Sequence, residues 1–342
     1  MYRSRTKFGT KAQTIGVLVD CPGGPYQTAV LAGIAETARK LEANILCFAL
    51  GVQRERAEAV VGRRFAQQLV GPHNLDGAIL FSTTLTDETG APGLLRLARS
   101  YNGLRLCSLG VPLEGIPSVT VDNRAGIRQV VAHLVRDHRL QRIAFICGPE
   151  GNVEADERLE AYRSELTNQA IPFDSKLTIP GNFLEEAGRA AVRTLAQRSA
   201  GLESIGAIVS CNDQMAIGAL SELEKMNIRV PEKIAVVGFD DIEESRFSQP
   251  ALATVRQPLS KIGGEAVRCV AAIGGRDEPA ASVELKAELV ARRSCGCAGE
   301  FKSARASTPA ASMASFDSGL LQHRQRIVNK LARAAGGLFG AA

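Results

Sequence analysis

The chain predicts an α/β protein built as two doubly wound lobes, and three observations carry that expectation. Short, wholly apolar runs recur from residue 14 onward, and stretches with apolar residues at three- and four-residue spacing separate them. Runs of this kind are strands buried on both faces of a parallel sheet, with helices covering each side. About eight such units would make a single sheet very wide, whereas 342 residues accommodate two cores.

The first strand is TIGVLVD (14–20), and helical spacing follows at Val30, Ile34, Ala38 and Leu41. NILCFAL (44–50), GAILFS (77–82), LRLCSLG (104–110) and SVTVD (118–122) come next. A second helical pattern at Ile127, Val130, Val131 and Leu134 leads to RIAFICG (142–148), IGAIVSC (205–211) and KIAVVGF (233–239). In doubly wound folds ligands bind beyond the carboxyl ends of the strands. The residues there are Asp20, Ser82, Gly110, Asp122, Gly148, Asn212, Asp213, Asp240 and Asp241. Most are short and polar, and so hold a ligand with little loss of rotamer entropy. Asp, Asn and Ser at such places also cap the helix that follows. Either use fits one residue, while recurrence at several converging strand ends suits a cleft.

Composition narrows the function. The apolar share of 45% and charged share of 23% are ordinary for a globular protein. The net charge of +5 sits in the tails: residues 1–11 hold Arg3, Arg5, Lys7 and Lys11 with no acid, and 300–342 carry a net +4. The body between is slightly acidic, so the tails are either solvated or polyanion-contacting arms. No apolar run approaches the roughly 18–20 residues of a membrane helix, and no cleavage-type segment follows the basic start. A cytoplasmic protein with no membrane partner is expected. Cysteine usage agrees with a reducing compartment: Cys47, Cys107, Cys147 and Cys211 lie in strand-like runs, where a thiol is expected to act as a small buried hydrophobe. Cys295-Gly-Cys297 lacks the usual two-residue gap and a second pair, and His73, His133, His138 and His323 stand in no metal spacing. No metal and no cofactor is expected. Dinucleotide, P-loop and nucleophile-elbow fingerprints are missing, which argues against an enzyme.

Longer segments carry a resemblance. LDGAILFS (75–82), VTVDNRAG (119–126), RIAFICGP (142–149), ERLEAYRSEL (157–166), AIVSCNDQMAIGAL (207–220), RVPEKIAVVGFDD (229–241) and PALATVRQPLSKIGGEAV (250–267) occur in one order. In that order the chain resembles, over about residues 14–294, the effector-binding domain of the lactose-repressor/galactose-repressor (LacI/GalR) regulators. The resemblance implies a periplasmic-binding-protein-like fold of type I, two Rossmann-like lobes joined by three crossing strands. Carried over, the crossings fall near 149, 250 and 278. The N-terminal lobe is then 14–148 plus 251–277, the C-terminal lobe 149–250 plus 278–294, with a basic tail at 1–13 and a linker and helical tail at 295–342.

The same resemblance implies roles for single residues. Arg158 matches the arginine that donates a bidentate pair to ligand hydroxyls or a carboxylate, against the plain alternative of a surface arginine. Asn212 offers an amide donor and acceptor to a hydroxyl, caps a helix, or does both. Asp240 accepts from ligand hydroxyls, while Asp241 caps the next turn. Tyr26 packs or hydrogen-bonds at the cleft mouth, with Gln27 at the often aromatic position after it. Phe183 covers the ligand or simply fills a groove, and Asp122 is a further lining residue. Gly110 stands where some sugar-binding members have an acid, so their ligand does not transfer.

The expected function is the small-molecule-sensing domain of a LacI-type regulator, binding a sugar or similar polar ligand between lobes and passing closure to an output module. Thirteen residues ahead of the first strand are too few for a helix-turn-helix, so DNA contact is expected only through a module absent from this chain. RRSCGC (292–297) resembles the close of sensor modules fused ahead of kinases or cyclases, which gives one alternative; a transport binding protein is another. Leu320, Ile327, Leu331, Ala334 and Leu338 approach a coiled-coil seam after the segment KSARASTPAAS, and a homodimer is expected.

Overall fold

The computed structural model describes residues 12–50, 69–85, 90–198, 201–271 and 281–297. The basic first residues, the Ser/Ala/Pro-rich segment and the Leu320–Leu338 seam lie outside the described residues.

The first half of the chain runs β1 (Thr14–Val19), α1 (Pro25–Lys40), β2 (Asn44–Ala49), β3 (Gly77–Leu80), α2 (Ser82–Leu85), α3 (Gly90–Ser100), β4 (Arg105–Leu109) and β5 (Ser118–Val121). It continues with α4 (Asn123–Arg136), β6 (Ile143–Ile146), α5 (Val153–Asn168), β7 (Thr178–Ile179), α6 (Glu185–Gln197) and β8 (Ala207–Ser210). Then come α7 (Asp213–Lys225), β9 (Ala235–Asp240), α8 (Glu243–Phe247), β10 (Ala253–Arg256), α9 (Leu259–Ala271), β11 (Val283–Leu285) and β12 (Glu288–Val290).

Two six-stranded sheets result, ordered β11-β5-β4-β3-β1-β2 and β12-β10-β9-β8-β6-β7. All the pairings are parallel except β10 with β12. The expected doubly wound α/β fold is therefore present. Register explains why the strands are apolar throughout. Val17, Ile79 and Cys107 stand level across β1, β3 and β4 and enter the main core, while the next residues Leu18 and Leu80 enter a second cluster with Leu94 and Tyr101. Both faces of the sheet are buried, so the usual polar alternation has no place. The edge strand β2 departs from this. Cys47, expected inside, is exposed there, and Leu46 is 46% exposed.

Sheet membership revises the expected lobe boundaries. β5 belongs to the first sheet, whereas α4 packs on α5 and β12, so the first crossing falls at Asp122 and not near 149. β10 pairs with β9 but α9 packs on α1, which puts the second crossing at Gln257 and Pro258 and not near 250. β11 pairs with β5 and β12 with β10, so the third lies at Lys286 and Ala287 and not near 278. Periodicity finds a strand without revealing which sheet it joins, and β10 to β12 are too short to announce themselves.

Within each lobe one pair of helices approaches to backbone contact through glycine. A Cβ on Gly33 of α1 would overlap the Ser260 carbonyl, and one on Gly263 of α9 would overlap the Val30 carbonyl. In the second lobe Gly188 of α6 faces the Met215 carbonyl and Gly218 of α7 faces that of Glu185 in the same manner. Neither carbonyl can move without displacing its helix. Gly33→Ala should therefore cost about 1–3 kcal/mol, the usual penalty of overpacking. Urea denaturation checks this against Gly23→Ala, whose added methyl meets nothing within 4 Å. The two variants should differ clearly, with Gly23→Ala close to wild type.

Candidate functional site

The carboxyl ends of β1, β3, β8, β9 and β10 converge on one cleft of about 410 Å³, part of it open to solvent. That volume lies within the roughly 300–1,000 Å³ of small-molecule sites. The first lobe lines it with Tyr26, Gln27, Thr83 and Thr84, and the second with Glu154, Arg158, Phe183, Asn212, Gln214 and Asp240. Gln257, on the second crossing, completes the floor.

On the first-lobe side Asp20, at the end of β1, accepts from Gln27 Nε2 at 3.1 Å and from Thr84 Oγ1 at 2.6 Å. Asp20 thus sets two lining side chains without lining the cleft itself. Tyr26 is half-buried at the start of α1. Burial, then the nearby Glu154 and Asp240 carboxylates, push its phenol well above the usual range despite Arg158, so it stays a neutral hydrogen-bond donor.

Arg158 is 3% exposed, and most of its guanidinium is already engaged. Nε donates to Asn123 Oδ1 at 2.9 Å and Nη1 to the Cys211 carbonyl at 2.7 Å. The Phe239 ring lies 3.8 Å beneath it, and Nη2 stands 3.8 Å from Glu154 Oε1. The expected bidentate donor is thus held rigidly, with Nη2 the nitrogen left without a close hydrogen bond among the described residues. Glu154 Oε2 accepts from Thr83 Oγ1 at 2.6 Å, and Asn152 Nδ2 donates to the Thr83 carbonyl at 2.9 Å. Those bonds join the lobes across the cleft.

Asp240 accepts from Gln257 Nε2 at 2.7 Å. The other end of that amide, Gln257 Oε1, is buried without a partner among the described residues, and so is offered to a donor from a ligand. Burial raises the Asp240 carboxyl to about 7, against the opposing pull of Arg158 and of the Gln257 bond. Its neighbour turns the other way. Asp241 accepts from Arg292 Nη2 at 2.5 Å and Arg256 Nε at 2.6 Å, with Arg246 at 3.6 Å. Burial alone would raise Asp241, but the Arg292 and Arg256 bonds hold it below the usual range. The cap expected of Asp241 is not formed: Ile242 occupies the N-cap position, and the side chain collects arginines instead.

Asn212 takes the capping use, and its amide donor goes to a backbone carbonyl. Oδ1 caps α7 through Met215 N at 3.0 Å, and Nδ2 donates to the Phe183 carbonyl at 2.9 Å. This second bond holds Phe183, whose φ of 67° is unusual for a non-glycine residue, with its ring against Gly148. Six of the seven expected residues therefore line one cleft. Asp122 does not: its Oδ1 caps α4 through Ala125 N at 2.8 Å, the competing use weighed above. Sequence reasoning missed Thr83, Thr84, Glu154, Gln214 and Gln257. Thr83 was within reach, one residue past Ser82. Ser82 itself is buried and hydrogen-bonds with Ser108 at 2.6 Å.

Residues that stand in no metal spacing along the chain come together in the fold. His133 and His138 stand beside Cys295 and Cys297, at the end of α4 opposite Asn123. They are far apart in sequence, which is why local spacing did not expose them.

Comparison with known proteins gives consistent neighbours. Residues 131–295 match the periplasmic binding protein-like domain. The chain is 34% identical over 240 residues to the HTH-type transcriptional regulator CelR of Thermobifida fusca, covering 68% of this chain and 66% of that regulator, just under two thirds of its length. It is 27% identical over 258 residues to the repressor CytR of Escherichia coli (strain K12), covering 75% of this chain and 71% of CytR. The structure superposes on a CelR–cellobiose complex with a TM-score of 0.72 at 25% identity, over 85% of each chain.

The raised Asp240 carboxyl has a measurable consequence. Folding lifts its pKa from the usual 3.8 to about 7. Between those values the folded chain keeps a proton that the unfolded chain has released, so this residue makes stability fall as pH rises from about 4 to about 7. Asp240→Asn should remove that contribution, on the order of 4 kcal/mol in all, of which about 3 kcal/mol falls between pH 5 and pH 8. Urea denaturation at pH 5 and pH 8 reads it: the wild type should lose more stability across the interval than the variant. Equal pH slopes would show that Asp240 is ionised throughout.

Proposed function

Because the chain carries a periplasmic-binding-protein-like effector domain of the LacI/GalR kind, we propose that it is the sensing part of a LacI-type transcriptional regulator whose cleft takes a neutral, hydroxyl-rich molecule, a saccharide by class. The observation that carries this reading is where the polar groups come from. Both lobes and one connector supply them, so a ligand touching Gln27, Arg158 and Gln257 together is bound only when the lobes are closed.

Charge favours a neutral ligand. The lining holds two carboxyl groups, Glu154 and Asp240, against one guanidinium, Arg158. An anionic ligand would meet a like charge in a water-poor site, whereas hydroxyls can donate to Asp240 and Gln257 Oε1 and accept from Arg158 Nη2. Phe183 and Tyr26 supply apolar faces of the kind that cover a sugar ring. Cellobiose, bound in the CelR structure, is the first compound to try.

The signal leaves through the second crossing in this reading. Gln257 is part of that connector and is bonded to Asp240, so a ligand competing for the carboxylate acts directly on the segment that must bend. Action on DNA then runs through a module outside the described residues, and the chain works as a homodimer. Sedimentation at micromolar concentration should show that dimer; a monomer would remove the claim.

A thermal-shift comparison of neutral mono- and disaccharides with sugar acids tests the ligand class. At about a hundredfold excess over Kd a ligand adds about 2.7 kcal/mol, which for lobes of this size raises Tm by about 5–10 °C. A neutral saccharide should do so, and Phe183→Ala should weaken it at least about tenfold, on the order of 1.4 kcal/mol. Stabilisation by sugar acids alone would overturn the assigned ligand class, and an effect that survives Phe183→Ala unchanged would move the site elsewhere.

A further inference from the structure

We infer that His133, His138, Cys295 and Cys297 form a closed four-coordinate metal site of the zinc type, separate from the ligand cleft. Four potential ligand atoms, one from each residue, lie within 4.8 Å of one another. His133 Nε2 and His138 Nε2 are 3.1 Å apart. Cys295 Sγ stands 3.6 Å from His133 Nε2, and Cys297 Sγ stands 3.4 Å from each imidazole nitrogen.

These distances are four of the six edges of a small tetrahedron, and the two edges from Cys295 to Cys297 and to His138 are bounded by 4.8 Å. Zinc bonds sulfur at about 2.3 Å and nitrogen at about 2.0–2.1 Å, so tetrahedral angles put N and S about 3.6 Å apart and two N about 3.4 Å apart. The four edges given above differ from those values by at most a few tenths of an ångström. Two thiolates with two imidazoles are a soft, borderline set that suits zinc over calcium or magnesium. All four positions are filled by protein, which is the pattern of a structural site.

The surroundings orient the set. His133 Nδ1 lies 2.6 Å from Asp137 Oδ2. A carboxylate there accepts a hydrogen bond from Nδ1–H, which fixes the tautomer that leaves the Nε2 lone pair facing the sulfurs, the usual outer support of a zinc-bound histidine. Gly296 adopts φ 96°, which turns both flanking cysteines toward the histidines, and a Cβ at that residue would crowd the His138 ring at 3.2 Å. Cys295 is 2% exposed, so the cluster is protected on that side. The single residue between the cysteines is compatible with this site because the second pair comes from elsewhere in the fold.

Such a site would tie segments 162 and 164 residues apart, clamping residues 295–297 onto the last turn of α4. α4 begins at the first crossing and carries Asn123, which positions Arg158. The site is thus a staple on the helix that leads from connector to cleft, and it stands whether or not the cleft binds a saccharide.

Elemental analysis of the full chain, purified in reducing buffer with zinc supplied and then desalted, should give close to one zinc per chain. Chelator-stripped protein titrated with cobalt should develop strong visible bands and a sulfur-to-cobalt charge-transfer band, saturating at one equivalent. Cys297→Ser and His138→Gln should each abolish that spectrum and make Tm insensitive to chelator, while the wild type loses several degrees. The cobalt titration needs no variant, so misfolding of either substitution leaves the test intact. Weak, octahedral-type cobalt absorption, zinc content near zero, or a Cys295–Cys297 disulfide that persists in reductant would each overturn the site.

Discussion

Two consecutive aspartates with positive φ, 124° at Asp240 and 56° at Asp241, end β9, and the cleft depends on that reversal. A side chain at such angles is strained, and the strain persists only where neighbours over-determine it. Here they do. Arg292 and Arg256 grip Asp241, and Arg292 also donates to the Leu252 carbonyl at 2.8 Å, so the turn is bound to β10 and to the segment that follows β12. Asp213, wholly buried, accepts from Ile242 N at 3.0 Å and from Thr254 Oγ1 at 2.5 Å. With the backbone fixed from behind, Asp240 has only the cleft to face. Paired carboxylates at a strand end look redundant in one dimension; in space they point to opposite tasks.

The desolvated charges show why the second lobe is so rigid around its floor. A buried guanidinium is tolerable only when its donors are met. Arg158 finds Asn123 on α4, the Cys211 carbonyl after β8 and the Phe239 ring on β9, three elements that no single stretch of sequence connects. Asn123 in turn donates to Glu157 at 2.9 Å, closing a ring between α4 and α5. Replacing Arg158 would thus disturb the packing of four elements along with any ligand contact, whereas Asp240 can be changed without leaving a buried cation alone beyond Arg158's existing partners.

The strands that could be read in advance are those whose burial is two-sided. GAIL in β3 and IAFI in β6 are apolar at every residue and declare themselves. VEL in β11 and ELV in β12 place a glutamate in a three-residue strand and carry too little pattern to be told from loop. Missing them displaced all three crossings. At the cleft, Asn212 and Asp240 were legible because each ends or follows a recognisable strand, whereas Arg158, inside a helix, was reached only through the family resemblance. Glu154 lies in the first turn of α5, where an acid reads as a favourable helix start, and Gln257 follows β10, which had not been identified. Asp122 shows the reverse: a residue in the right place whose carboxylate is consumed by a helix. His133 and Cys295 share no local pattern at all, since only the packing of α4 against the chain's return brings them together.

The three crossings also govern how the molecule can be assembled on the ribosome. α9 covers α1 through the Gly33 and Gly263 contacts, and β11 completes the first sheet, yet both are made from residues beyond 258. The second sheet likewise waits for β12. Neither lobe is complete until about residue 290 has emerged, although most of each is synthesised much earlier. The nascent chain must therefore carry an uncovered α1 face and an open β5 edge through most of its translation, exposures that favour misassembly and chaperone contact. A fragment ending at Gly148 would be an unfinished lobe with part of its neighbour attached, so the protein cannot be divided by a single cut.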